Sequence, residues 1–130
     1  MKSIFELELE NFIAGYNEAL LFAESVEGPH GEDIENIQAH DLNAQALAEN
    51  AEDCKQFLKL HGEKLLLAIA GSDDYDHIQA GRDFWFSRQG HGVGFWDRGL
   101  GLAGDDLHAA AQMFGQKHVF LDDDHMIGVE

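Results

Sequence analysis

The chain has 130 residues, 45% of them hydrophobic and 10% aromatic. That is enough apolar material for one core and too little length for two comfortable domains, so a single domain over residues 1–130 is expected. Against 8 Lys and Arg stand 25 Asp and Glu, a formal net charge of -17. This balance argues against direct binding of nucleic acid, which needs a basic track, and against anionic membranes.

The start, MKSIFELELE, follows one Lys with carboxylates instead of an apolar signal region, and no run approaches the roughly 20 apolar residues of a membrane span. A cytoplasmic location is expected. Cys54 is the single cysteine and reads as a small core residue. From Ser3 to Cys54 there is no Lys or Arg, while Glu6, Glu8, Glu10, Glu18, Glu24, Glu27, Glu32, Asp33, Glu35, Asp41, Glu49, Glu52 and Asp53 fill the stretch. The front of the protein is purely anionic.

Phe5, Leu9, Phe12, Ile13, Tyr16, Ala19, Leu20 and Ala23 recur at three- and four-residue steps and predict a helix ending near Glu24. FELELE also alternates with period two, which leaves a short first strand open. Residues 26–40 carry Gly28, Pro29 and Gly31 without periodicity and read as a loop. Asp41 or Asn43 then caps a helix with an apolar stripe through Leu42, Ala46, Leu47, Ala51, Cys54, Phe57, Leu58 and Leu60. His61-Gly62 is expected to interrupt it, and a short helix from Glu63 to Ala70 to bury Leu65, Leu66, Leu67 and Ile69 before Gly71.

RDFWFSRQGHGVGFWDR sets two aromatic runs around Gln89-Gly90-His91-Gly92 and reads as a β-hairpin. A symmetric register opposes Trp85 to Trp96, Phe86 to Phe95 and Asp83 to Arg98, pairs worth roughly 0.2–1 kcal/mol each. Gly104-Asp105-Asp106 opens a helix through Leu107, Ala110, Ala111 and Met113 to Gly115. His118 to Leu121 predicts a strand, Asp122-Asp123-Asp124 a turn, and Met126, Ile127 and Val129 a short returning strand. The expected fold is α+β: N-terminal helices over about residues 1–70, packed on a small antiparallel sheet with a C-terminal helix over about 81–129.

The string AGRDFWFSRQGHGVGFWDRGLG resembles the hallmark, DFWxxRxGHGxGFWDR, of a family of small, mostly uncharacterised proteins encoded by bacteriophages, plasmids and related mobile elements. AEDCKQFL is similar to that family's Asp-Cys-x-x-Phe helix, and GDDLHAAAQMFG with the acidic turn continues the likeness. Family members often carry His where this chain has Arg82, and Asn-Gly-His-Gly where it has Gln89-Gly90-His91-Gly92. Small acidic proteins of such elements often disarm host enzymes that bind DNA or guide RNA, so the resemblance implies an anti-CRISPR or antirestriction inhibitor.

Carboxylates at i and i+4 of a helix, such as Glu6 with Glu10 and Glu49 with Asp53, repel by a few tenths of a kcal/mol, and nothing adjacent in the sequence offsets this. Their spacing of about 5–6 Å approaches that of phosphates along a strand. Glu6, Glu10, Glu24, Glu27, Glu32, Asp33, Glu35, Glu49 and Asp53 are therefore the candidate partner-binding residues of a stoichiometric nucleic-acid mimic. Its partner would be a host protein or nucleoprotein complex with a basic groove. The bland alternative is acidity that serves only solubility, on a protein-interaction or homo-oligomer module; a homodimer is compatible with either. A third reading takes His91 as general base and Arg88 as anion clamp of a small hydrolase, with Asp83 and Asp97 beside them. Glycines, aromatics and an Arg98–Asp83 pair explain that constellation structurally. Asp122, Asp124 and His125 lack the spacing of a metal or calcium loop, GHGVG lacks the context of a nucleotide loop, and no cofactor is expected.

Overall fold

The computed structural model describes residues 1–28, 30–35 and 37–130. The helix-breaking role given to Pro29 lies outside the described residues. The fold is α+β. Helix α1 spans Ile4–Ala23, strands β1 Val26–Glu27 and β2 Asp33–Ile34 form a short hairpin, α2 spans Ala44–Ala70, α3 His77–Gln89 and α4 Leu102–Gln112. Strands β3 Val119–Leu121 and β4 Ile127–Val129 form a second antiparallel pair. Among the described residues no helix is long and apolar enough to cross a membrane.

The helix starts follow from their caps. The Ser3 side chain accepts from the Glu6 N–H, Asn43 from that of Ala46 and Asp76 from that of Gln79, each satisfying a donor that the first turn leaves free. Asn43 also donates to Asp122 at 2.9 Å, which ties the start of α2 to the β3–β4 turn. Backbone bonds from Asn43 to Ile127 and from Ile127 to Asp41 extend that attachment.

Three expectations are overturned. Residues 83–89 are not a strand: Ala80, Phe84, Ser87 and Arg88 recur at helical steps, are all buried, and make one face of α3. Gly90, at φ +72°, ends the helix, and a loop with the single 3-10 turn Phe95–Asp97 replaces the second strand. Trp85 is accordingly buried while Trp96 is 48% exposed, so the two do not face each other. The Asp83–Arg98 pair survives, formed from helix to loop instead of across strands.

The second correction is α2, which runs through His61-Gly62 for 27 residues without interruption. One interior glycine costs about 1 kcal/mol against alanine, and burial of Leu58 and Leu65 on either side outweighs it. Of the leucines expected in the core, Leu65 is buried, whereas Leu66 is 44% and Leu67 76% exposed. The third is α4, which begins at Leu102, so that Gly104 lies inside it, against the Phe95 carbonyl. The loop expected over 26–40 also contains the β1–β2 hairpin and a 3-10 turn at Ile37–Ala39.

The core is an aromatic stack. The Phe57 ring lies 4.4 Å from Phe84 and 5.6 Å from both Phe12 and Phe95, and Tyr16 meets Trp85 edge-on. Helices α1 and α3 cross where Gly15 lies under the Ile78 carbonyl and Gly81 under that of Phe12. A Cβ at Gly81 would penetrate that carbonyl and stand 2.9 Å from the Tyr16 nitrogen. Gly81 is thus a contact point inside α3, where the sequence suggests a boundary.

Candidate functional site

The nine nominated carboxylates do not form one face. Along α1, at 1.5 Å per residue, Glu6 and Glu24 stand about 27 Å apart. Glu6 is exposed in the first turn, Glu10 pairs with Lys2, and Glu49 accepts from the Gln45 amide at 2.6 Å. Two of the nine are spent inside the protein. Glu24 accepts from the Trp85 indole at 3.1 Å and bonds His91, and Asp53 is held by Arg88 at 2.8 Å. Lys2 and Arg88 thereby relieve the two i, i+4 repulsions that the sequence left without a counter-charge.

The remaining four, Glu27, Glu32, Asp33 and Glu35, come together on the β1–β2 hairpin. Gly28 donates to the Glu32 carbonyl at 2.7 Å, and Gly31, at φ +80°, lets the chain turn. The register sets Glu27 directly opposite Asp33. Like charges in that position repel across a ladder. Strand β1 packs beside β3, and Glu27 and Gly28 share with Leu121, Asp122, Asp123 and His125 the lining of an open hollow of about 320 Å³.

The β3–β4 turn thus adds its acids to the hairpin's. Asp122 accepts from the Asn43 amide and from the Met126 and Asp124 N–H groups, and these bonds hold its carboxyl below the usual range. Asp123 and Asp124 are exposed. Among the described residues no cation pairs with Glu27, Glu32, Asp33, Glu35 or any of Asp122 to Asp124. Sequence reasoning took Asp122, Asp123 and Asp124 as a solvated turn. Their place beside Glu27 has no local signal, because it depends on packing between segments some ninety residues apart.

The basic side chains are largely engaged. Arg82 pairs with Glu18 at 2.8 Å, Lys64 with Asp106 at 2.8 Å, and Lys2 with Glu10. Arg98 grips Asp83 through two nitrogens, while Tyr75 donates to the same carboxylate at 2.6 Å. Burial pushes Asp83 up, and these bonds oppose the shift; burial also raises the Tyr75 hydroxyl. Lys55, Lys59 and Lys117 have no ion pair among the described residues.

The constellation around His91 is not brought together as a catalytic group. Arg88 is buried, and its guanidinium donates to the Gly115 and Phe114 carbonyls, the Tyr16 hydroxyl and Asp53, between the Phe84 and Phe114 rings. It has no free donor fork to clamp an anion. Asp97 accepts from the Gly94 N–H, and His91 is bonded to Glu24. His108 does meet Ser87 at 2.8 Å, but that hydroxyl is fully buried and also accepts from the Phe95 N–H. Cys54 is fully buried, and burial pushes its thiol well up, away from the thiolate that a nucleophile needs. Among the described residues no three His, Cys, Asp or Glu side chains are placed to hold a metal ion.

No family model, curated protein or solved structure matches the chain.

Proposed function

We propose that the protein is a non-catalytic, stoichiometric blocker that presents the acidic pole of hairpin β1–β2 and turn 122–124 to a basic nucleic-acid-binding groove on another protein. The setting that fits is a mobile-element inhibitor of a host defence nucleoprotein, of the CRISPR or restriction type. The observation that carries this reading is the pole itself: Glu27 faces Asp33 across the ladder, Glu32 and Glu35 flank them, and among the described residues no cation relieves them. A fold that tolerates such repulsion gains nothing from it in isolation, and a basic partner would remove it.

The test is capture of partners from host lysate by the wild-type protein and by an E32Q/D33N/E35Q variant, followed by competition with duplex DNA. A partner with a basic nucleic-acid groove is expected, displaced by DNA and by salt, with at least about tenfold weaker binding by the variant. A partner without such a groove, or unchanged binding by the variant, overturns the proposal. A different observation favours the second reading, a protein-interaction module: long apolar side chains of α2 and α4 stand in solvent.

A further inference from the structure

Helix α2 keeps a glycine in its interior that packing does not require. A Cβ at Gly62 would meet nothing nearer than the Leu58 Cβ at 4.0 Å, and glycine is the poorest helix former after proline. What the missing side chain leaves open is a hollow of about 350 Å³ between α1, α2 and the first turn of α3. That volume is at the small end of the range of ligand sites. Residues 58, 59, 62, 63 and 66 share one face of α2, and Phe5 and Glu8 lie about a turn apart on α1. Phe5, Leu58 and Leu66 make the walls apolar, while Glu8 and His77 form a polar corner.

That corner is unfinished. His77 Nε2 stands 3.9 Å from Glu8 Oε2, too far for a hydrogen bond. The two side chains are only 13% and 23% exposed, and among the described residues neither makes a hydrogen bond. Burial lowers His77, so the ring is neutral at about pH 7, and Nε2 is an acceptor in the tautomer protonated on Nδ1. Two acceptors 3.9 Å apart suit one nitrogen donor. Placed about 2.8 Å from each, it subtends about 90°, and the N–H bonds of an ammonium bend by only about 10° to reach both.

We infer that the hollow binds a small primary ammonium with an apolar body, its nitrogen bridging Glu8 and His77 and its hydrocarbon lying along Phe5, Leu58 and Leu66 over Gly62. The charges around the hollow select a cation. Glu8 and Glu63 line it against a single cation, the exposed Lys59. Just outside, Glu6 and Asp76 add negative charge and Lys55, one turn before Lys59, adds positive, while Lys2 and Lys64 are already paired with Glu10 and Asp106. The balance is negative. An anion would be repelled by Glu8, and a wholly apolar ligand would cover Glu8 and His77 without giving them a partner. The site is at the start of α1, whereas the acidic hairpin follows its end, so occupancy of one is measurable apart from the other.

NMR titration of the full chain with 2-phenylethylamine, at about pH 7 and about 0.15 M NaCl, tests the inference. A probe of roughly nine non-hydrogen atoms in a half-open site should bind with a Kd of about 0.1–3 mM, with shifts centred on Phe5, Gly62 and the His77 ring. The uncharged 2-phenylethanol should bind at least about tenfold more weakly, and 3-phenylpropionate not detectably. Glu8→Gln should weaken the amine at least about fivefold and leave the alcohol within about twofold, whereas Lys59→Met should tighten the amine by about twofold. Gly62→Leu fills the hollow and should remove binding of both probes, with a urea midpoint at or above that of wild type because leucine favours the helix. Amine and alcohol of equal affinity, shifts that follow the acidic hairpin instead of the hollow, or a Glu8→Gln variant that binds the amine like wild type each overturn the inference. So does a folded Gly62→Leu variant that still binds; if circular dichroism shows that variant unfolded, the Glu8→Gln result decides.

Discussion

Helix α3 and the acidic pole handle charge in opposite ways. In α3, Asp83 and Arg88 are buried, and every polar atom of Arg88 finds a carbonyl, hydroxyl or carboxylate. At the pole Glu27, Glu32, Asp33, Glu35, Asp123 and Asp124 are exposed, and among the described residues none of them pairs with a cation. A buried charge that loses its partner costs several kcal/mol, whereas an exposed one costs tenths. The same residue types therefore hold the fold in one region and stand without a counter-charge in the other, and net charge alone does not distinguish the two situations.

The largest way to sharpen that contrast is Arg88→Met. It leaves Asp53 without its cation and the Tyr16 hydroxyl and two carbonyls short of a donor, at an expected cost of about 3–5 kcal/mol in urea unfolding. A cost under about 1 kcal/mol would mean that the arginine is no strut. Gly81→Ala comes next. Its helix-propensity gain of about 1 kcal/mol is overcome by the clash with the Phe12 carbonyl, which belongs to backbone and cannot swing aside, so a net loss of about 2 kcal/mol or more is expected. At the pole the same unfolding measurement should find E32Q/D33N/E35Q within about 0.5 kcal/mol of wild type, on the stabilising side because Glu27 loses its opposed charge. A large destabilisation there would make the pole structural and erase the comparison.

What could be read from the sequence follows the range of the forces involved. Helix α1 was legible because Ser3 and the three- and four-residue spacing of Phe12, Tyr16, Ala19 and Leu20 are local signals. The strands at 119–121 and 127–129 and their acidic turn were legible for the same reason. The string around Trp85 misled because aromatic residues and glycines resemble a hairpin over five residues, while its helical face, Ala80, Phe84, Ser87 and Arg88, needs two turns to declare itself. Opposite charge still identified the Asp83–Arg98 pair, since attraction does not depend on which backbone brings the groups together. Glu24 and Asp53 looked as free as Glu32 until Trp85 and Arg88 were folded against them. Acidity is visible residue by residue, and freedom from a partner only in the fold.

The smallest effect concerns two histidines, one on α2 and one at the start of α3. Burial lowers both His61, which lies against the Phe57 ring with Lys64 near it, and His77, where Glu8 and Asp76 partly oppose the shift. Their folded values lie below the ordinary 6.5, so the unfolded chain binds more protons in the interval between. Their contribution to stability is complete above about pH 6.5 and declines as pH falls through the folded values. Lowering the pH also discharges part of the anionic surface, which acts in the stabilising direction and is common to every variant. The difference between wild type and H61Q/H77Q therefore isolates the two rings: it should change between about pH 7.5 and 5.5, with wild type losing more. NMR titration of each ring should give a midpoint below 6.5, and midpoints at or above that value would show that neither ring is held neutral by its surroundings.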